Sequence, residues 1–152
     1  MELFDDDENG ESMENTYVRD IFIVKLGGSI ITDKSIPFSL RKDRIYALVK
    51  QIAEYYRSIK KEKKNNAIIL IHGGGSFGHP IANEYMIHKG KNPNIENQLL
   101  GLSKTHFAML QLNMEITKVL DQESIPFLVF PPSICFEKQK EGRIIFKNIE
   151  NL

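Results

Sequence analysis

The stretch over residues 67–87, AIILIHGGGSFGHPIANEYMI, constrains this chain more than any other. It opens with a short isoleucine-rich run, as expected of a strand covered on both faces. Gly73, Gly74 and Gly75 end that run, and glycines permit positive φ and close approach of backbone or ligand. Ser76, Phe77, Gly78, His79 and Pro80 follow. Pro80 suits the first turn of a helix, where a missing N–H costs nothing. A glycine turn feeding a helix N-terminus is an anion site, because free N–H groups and the helix dipole both favour phosphate.

Two familiar phosphate motifs fit this stretch incompletely. Gly73-x-Gly75-x-x-Gly78 satisfies the dinucleotide fingerprint, but where an acid is expected about 20 positions on there is only Glu96 as a loose candidate. Gly73-x-x-x-x-Gly78 begins like a P-loop, but His79-Pro80 stands where Lys-Ser/Thr is required. The plain alternative is a tight strand-to-helix turn with no ligand. The strand-turn-helix context favours phosphate.

A second glycine turn lies upstream. Residues 21–26, IFIVKL, read as a strand running into Gly27-Gly28-Ser29. In α/β sheets ligands gather beyond the carboxyl ends of strands, and Lys25 sits at that end. An unpaired ammonium is costly to bury, so Lys25 does not read as a core residue. Lys34 follows nine residues later. Two lysines around a glycine turn could neutralise a transferring phosphoryl group; the alternative for Lys34 is a solvated loop lysine.

The remaining pattern supplies a scaffold. Ser39 is a candidate N-cap for a helix to about Lys60, whose Ile45, Leu48, Val49, Ile52, Tyr55, Tyr56 and Ile59 recur at helical spacing as core. The polar run KKEKKNN over 60–66 reads as a solvated helix end, and no recognition module accompanies it to suggest nucleic acid. Residues 89–97 read as a loop, and 99–122 as a long helix with Leu102, His106, Met109, Leu110, Asn113, Ile116 and Leu120 on one face. Residues 126–130, PFLVF, read as a third strand stopped by Pro131-Pro132. Residues 134–136 and 143–146 read as a hairpin. The order β-α-β-α-α-β plus hairpin implies an α/β sandwich with a mostly parallel sheet.

Charge is uneven along the chain. Residues 1–20 hold eight acids against one arginine, a net of −7, and the remainder carries 19 basic and 12 acidic residues, a net of +7. Residues 1–19 therefore read as an acidic, disordered leader, followed by a basic domain over 20–152 suited to phosphorylated ligands. The single cysteine, Cys135, excludes an intrachain disulfide and reads as a small buried hydrophobe in a reducing, cytoplasmic setting. No run approaches the ~18 apolar residues of a membrane span. The four histidines, His72, His79, His88 and His106, show no metal-ligand spacing.

Together the segments VKLGGSIITDK (24–34), IHGGGSFGHP (71–80), GLSKTHFAMLQLN (101–113) and VFPPS (129–133) resemble the isopentenyl phosphate kinases of the amino acid kinase superfamily. The resemblance implies a three-layer α/β sandwich. It also implies transfer of the ATP γ-phosphoryl group to isopentenyl phosphate, with Mg²⁺ accompanying ATP and a homodimer or complementing chain as partner. Residue by residue, it places Lys25, Leu26, Gly27, Gly28 and Ser29 at the ATP phosphates and Gly75 near the transferring group. It gives Lys34 the role of transition-state lysine, and Gly74 and His79 that of holding the acceptor phosphate. Lys25, Lys34 and His79 are thereby the expected catalytic set. Met86, Ile87, Phe107 and Met109 are candidates for the apolar wall. Chains of that family are longer, so the resemblance further implies a domain truncated before its C-terminal nucleotide-binding lobe. The competing expectations are a non-catalytic remnant that binds a phosphorylated ligand or subunit, and a kinase for another small phosphorylated acceptor.

Overall fold

The computed structural model describes residues 20–139 and 141–146; the leader expected over 1–19 lies outside them. Strands β1 (Ile21–Leu26) and β2 (Ala67–His72) pair in parallel, in register from Ile21 against Ala67 to Leu26 against His72. Side chains alternate across a strand. Val24, Leu26 and Leu70 therefore face one way, onto helices α2 (Lys42–Lys61) and α4 (Gln98–Gln122). Between them lies the core, built from Ile45, Val49 and Ala53 of α2 and Ala108, Leu112 and Ile116 of α4. Each fully buried aliphatic side chain there contributes about 1.5–3 kcal/mol by leaving water.

The other sheet face carries Ile21, Ile23, Ile69 and Ile71, which are 45–67% exposed. Among the described residues nothing covers it, so the expected three-layer sandwich is represented by the sheet and one helical layer. The expected third strand over 126–130 is not formed. Residues 126–130 run without regular structure, with Leu128 83% exposed. An apolar run becomes a strand only where a neighbouring edge accepts its N–H and C=O groups, and residues 126–130 pair with neither edge of the β1–β2 sheet.

Other boundaries moved for local reasons. α2 starts three residues after Ser39, whose carbonyl instead accepts the Asp33 N–H at 3.0 Å. The buried stripe of α4 runs Gly101, Ala108, Leu112, Ile116, Leu120; Ile116 and Leu120 lie on the expected face, whereas the first half is offset from it and Leu102 is exposed. Small residues decide this. Gly101 packs against the Tyr85 ring so closely that a Cβ would collide with it. Residues 132–135 form a short helix, α5 (Pro132–Cys135), ahead of an antiparallel hairpin of β3 (Phe136–Lys138) and β4 (Ile144–Phe146). Cys135 is half-buried rather than a core residue. Among the described residues no helix is long and apolar enough to cross a membrane.

Candidate active site

The parallel register brings the two glycine turns together. β1 and β2 end side by side, and the Leu26 carbonyl accepts the Gly73 N–H at 2.9 Å. The Leu26 side chain is 3% exposed, so it anchors the turn in the core and presents no side chain to a nucleotide. Beyond the strands the backbones touch. A Cβ on Gly28 would lie 2.5 Å from the Gly75 nitrogen, and one on Gly73 would lie 2.8 Å from the Gly28 nitrogen. Only Gly75 of the expected turn takes a positive φ, +49°.

Each turn then opens a helix. Gly27 caps the short α1 (Gly28–Ile31), and Gly74 caps α3 (Gly75–Glu84). Among the described residues the N–H groups of Gly27, Gly28, Ser29, Gly74 and Gly75 have no hydrogen-bond acceptor. First-turn donors are orphaned in every helix. Two such sets on abutting turns supply the kind of backbone donors that bind phosphate.

Not every donor of the turn is free. The Ser76 N–H donates to Thr32 Oγ1 at 2.9 Å, and that hydroxyl donates to the Gly28 carbonyl at 2.7 Å. Ser76 Oγ donates to the Ser39 carbonyl at 3.1 Å, and the Ser76 carbonyl accepts the Phe38 N–H at 3.1 Å. That last bond explains the placement of Pro80. It is the sixth residue of α3, not a first-turn residue as expected. Lacking an N–H, it cannot use the Ser76 carbonyl four residues back, and Phe38 takes that acceptor instead.

Ser76 thus anchors the loop that carries Lys34. The loop is closed by a Thr32–Leu40 bridge and by the Asp33–Ser39 bond. Within it the Ser35 hydroxyl and N–H both donate to Asp33 and hold its carboxyl below the usual carboxylate range. This closure places Lys34 on a cavity of about 400 Å³ shared with Gly75, Ser76, His79, Pro80 and Asn83. Lys25 does not line that cavity. It emerges exposed on the uncovered sheet face, opposite Ile71 in the register.

His79 Nδ1 lies 3.0 Å from the Gly75 carbonyl oxygen. A carbonyl only accepts, so Nδ1 carries the proton and Nε2 is left for a ligand. A neutral ring would offer a lone pair there; only the imidazolium donates to a phosphate oxygen through Nε2. The expected donation by His79 therefore carries a proton requirement.

Of the candidate apolar-wall residues, Met109 reaches the turn: its Sδ would lie 3.1 Å from a Cβ on Gly74 and 2.8 Å from one on Gly78. Phe107 is two positions away, about 200° around a helix, and is 61% exposed. Met86 and Ile87 sit beyond the far end of α3, with Met86 exposed. His106 is exposed as well. Asn113 meets a protein group instead: its Nδ2 donates to His72 Nε2 at 3.2 Å.

Burial holds the His72 imidazole below its ordinary value, against a smaller opposing pull from the Gly73 carbonyl. A base with a depressed folded value is neutral in the fold while the unfolded chain still takes up protons. Its stabilisation is complete above the ordinary histidine value of 6.5 and is lost as pH falls from there. Denaturant midpoints measured across that range are expected to fall more steeply for the native chain than for His72→Gln. Parallel curves would remove His72 from the pH response.

Thr32, Ser76 and Asn83 were not legible as site residues. Nothing in one sequence marks a threonine whose hydroxyl is buried, or an asparagine one turn after a site histidine.

Comparison with known proteins agrees with this geometry. The sequence model of the amino acid kinase family matches residues 20–139. The isopentenyl phosphate kinase of Methanocaldococcus jannaschii is 41% identical over 139 residues, covering 84% of this chain and 52% of that protein. The enzyme of the same name from Methanothermobacter thermautotrophicus is 30% identical over 132 residues, covering 85% and 46%. A crystal structure of an isopentenyl phosphate kinase superposes with a TM-score of 0.69 at 30% identity, covering 87% of this chain and 51% of that one. The Thermoplasma acidophilum product complex gives 0.65 at 29% identity, covering 82% and 47%. The chain spans about half the length of the curated relatives it matches. With two abutting glycine turns at the ends of paired parallel strands, and with the family match running through both, this chain belongs to the amino acid kinase family.

Proposed function

We propose that this chain carries the phosphate-gripping part of a site for ATP-dependent phosphorylation of isopentenyl phosphate to isopentenyl diphosphate. The observation that carries the reading is the contact of the Gly27–Gly28 and Gly73–Gly75 turns, with Lys34 and His79 on one cavity beside it. The names of the similar proteins supply the acceptor. In the reaction an acceptor phosphate oxygen attacks the γ-phosphorus of ATP, the bond to the β-phosphate bridging oxygen breaks, and ADP leaves. Such a transfer asks the protein for in-line placement and charge neutralisation rather than covalent chemistry.

The residues divide accordingly. The Gly27, Gly28 and Ser29 amides meet the ATP phosphates, Lys25 reaches them from the sheet face outside the cavity, and Gly75 stands where the two turns abut. Gly74 and His79 hold the acceptor phosphate. Lys34, anchored through its loop to Ser76, faces the transferring group. Met109 is the apolar residue nearest the acceptor turn. Among the described residues no three acid, histidine or cysteine side chains cluster to hold a metal. Magnesium on this reading rides on the nucleotide phosphates, as it commonly does.

A second reading has a specific observation behind it. The uncovered isoleucine face suits packing by a second copy or a complementing chain, so the chain alone could bind ligand without turning it over.

Phosphorus NMR of isopentenyl phosphate with the chain, ATP and Mg²⁺ separates these. Diphosphate appearing in proportion to protein supports catalysis by this chain. Broadening of the acceptor signal without turnover supports the binding-only reading, and translational diffusion on the same sample reports pairing. His79→Ala is expected to weaken acceptor binding about tenfold or more, because a hydrogen bond to a charged group is worth about 1.5–3 kcal/mol. Unchanged broadening in that variant would take His79 off the phosphate.

A further inference from the structure

We infer that Thr32 is a positioning residue: its buried hydroxyl sets the spacing between the turn assigned to the donor phosphates and the turn assigned to the acceptor. The inference rests on the kinase reading above and concerns a residue that touches neither substrate. Thr32 is 0% exposed. Its Oγ1 donates to the Gly28 carbonyl at 2.7 Å and accepts the Ser76 N–H at 2.9 Å, so one oxygen joins the two turns. A hydroxyl is the smallest group that can donate to one backbone and accept from the other at once. Gly75 is the residue between them. Its positive φ and missing Cβ leave the space that the Thr32 side chain fills.

Thr32 also ends α1 and begins the loop that carries Lys34. Its own N–H donates to Gly28, and it bridges Leu40 at the base of that loop. Donor turn, acceptor turn and Lys34 loop therefore share this one side chain. In-line transfer is sensitive to such spacing, since a misplacement of about 1 Å can cost roughly a hundredfold in rate. Losing the hydroxyl should separate turns that each still bind their own phosphate. The signature is a fall in kcat with little change in acceptor affinity.

Thr32→Val keeps the shape and removes the hydroxyl; Thr32→Ser keeps the hydroxyl and removes a methyl. In the 152-residue chain with ATP, Mg²⁺ and isopentenyl phosphate, Val is expected to lower kcat about tenfold to a hundredfold. The acceptor KM should move less than about threefold, and Ser should stay within about threefold of the native kcat. A packing role predicts the reverse order, with Val tolerated and Ser impaired, and would overturn the inference. If Val does not fold, Ser alone decides: retained kcat supports the positioning role, and a loss of about tenfold overturns it. If the native chain neither turns over nor binds isopentenyl phosphate, the functional reading fails by itself. Whenever the native chain does not turn over, whether or not it binds isopentenyl phosphate, the nuclear Overhauser contact between Gly28 and Gly75 settles the spacing without kinetics. Its loss in Val and retention in Ser support the inference, and its retention in Val overturns it.

Discussion

Replacing Gly75 with alanine is expected to destabilise the chain by about 2–5 kcal/mol. A left-handed backbone costs an L-residue about 1–2 kcal/mol, and Gly75 has φ of +49°. Overpacking adds about 1–3 kcal/mol. The new Cβ would sit 2.8 Å from the Gly28 carbonyl oxygen and inside the contact radius of Thr32 Oγ1. Neither neighbour can yield freely, because the two are hydrogen-bonded to each other. The same residue change at Gly142, also at positive φ, meets nothing within 4 Å and should show the backbone cost alone. Urea denaturation of both variants measures the difference. A Gly75→Ala chain within about 0.5 kcal/mol of native, the ordinary range for surface substitutions, would mean that the turns do not abut as described.

Lys34→Ala is expected to lower turnover by about 10²–10³-fold, the usual effect of removing one group that stabilises charge in a transition state. The side chain is exposed on a loop whose closure depends on backbone and on Thr32, Ser39 and Ser76. Truncation should therefore leave the fold intact, and the denaturation midpoint serves as the control. Steady-state kinetics in a turnover-competent form of the protein gives the test. A kcat within about threefold of native would remove Lys34 from the transition state and leave the phosphate grip to the glycine turns and His79.

These two variants probe different kinds of information. Gly75, Lys34 and His79 could be picked out from a linear string, because glycine turns after isoleucine-rich runs have few uses and lysines beside them fewer. The strands at 21–26 and the long helix after Asn97 were legible for the same reason: their periodicities are local. The stripe that α4 buries was legible only in its second half, where Ile116 and Leu120 are buried as expected. Bulk hydrophobicity pointed to Leu102 and Leu110, whereas close contact of Gly101 with Tyr85 turned the helix to bury Ala108 and Leu112. Residues 126–130 carry the composition of a strand and form none, because pairing is supplied by a neighbour and not by composition.

The sequence by itself determined which chemical groups are present: two phosphate-sized glycine turns, two lysines, a histidine at the start of a helix and an apolar scaffold to hold them. The tertiary structure decided which of these meet. Parallel pairing of β1 with β2 put Gly28 against Gly75, over 40 residues apart in the chain. It bound the Ser76 N–H and hydroxyl to Thr32 and Ser39 so that Ser76 anchors the Lys34 loop, set the Gly75 carbonyl against His79 Nδ1, and left Lys25 on the uncovered sheet face. The physical reason is range. Backbone propensity and side-chain periodicity act over a few residues, whereas a hydrogen bond such as that from Ser76 to Thr32 exists only once the core of β1, β2, α2 and α4 has closed.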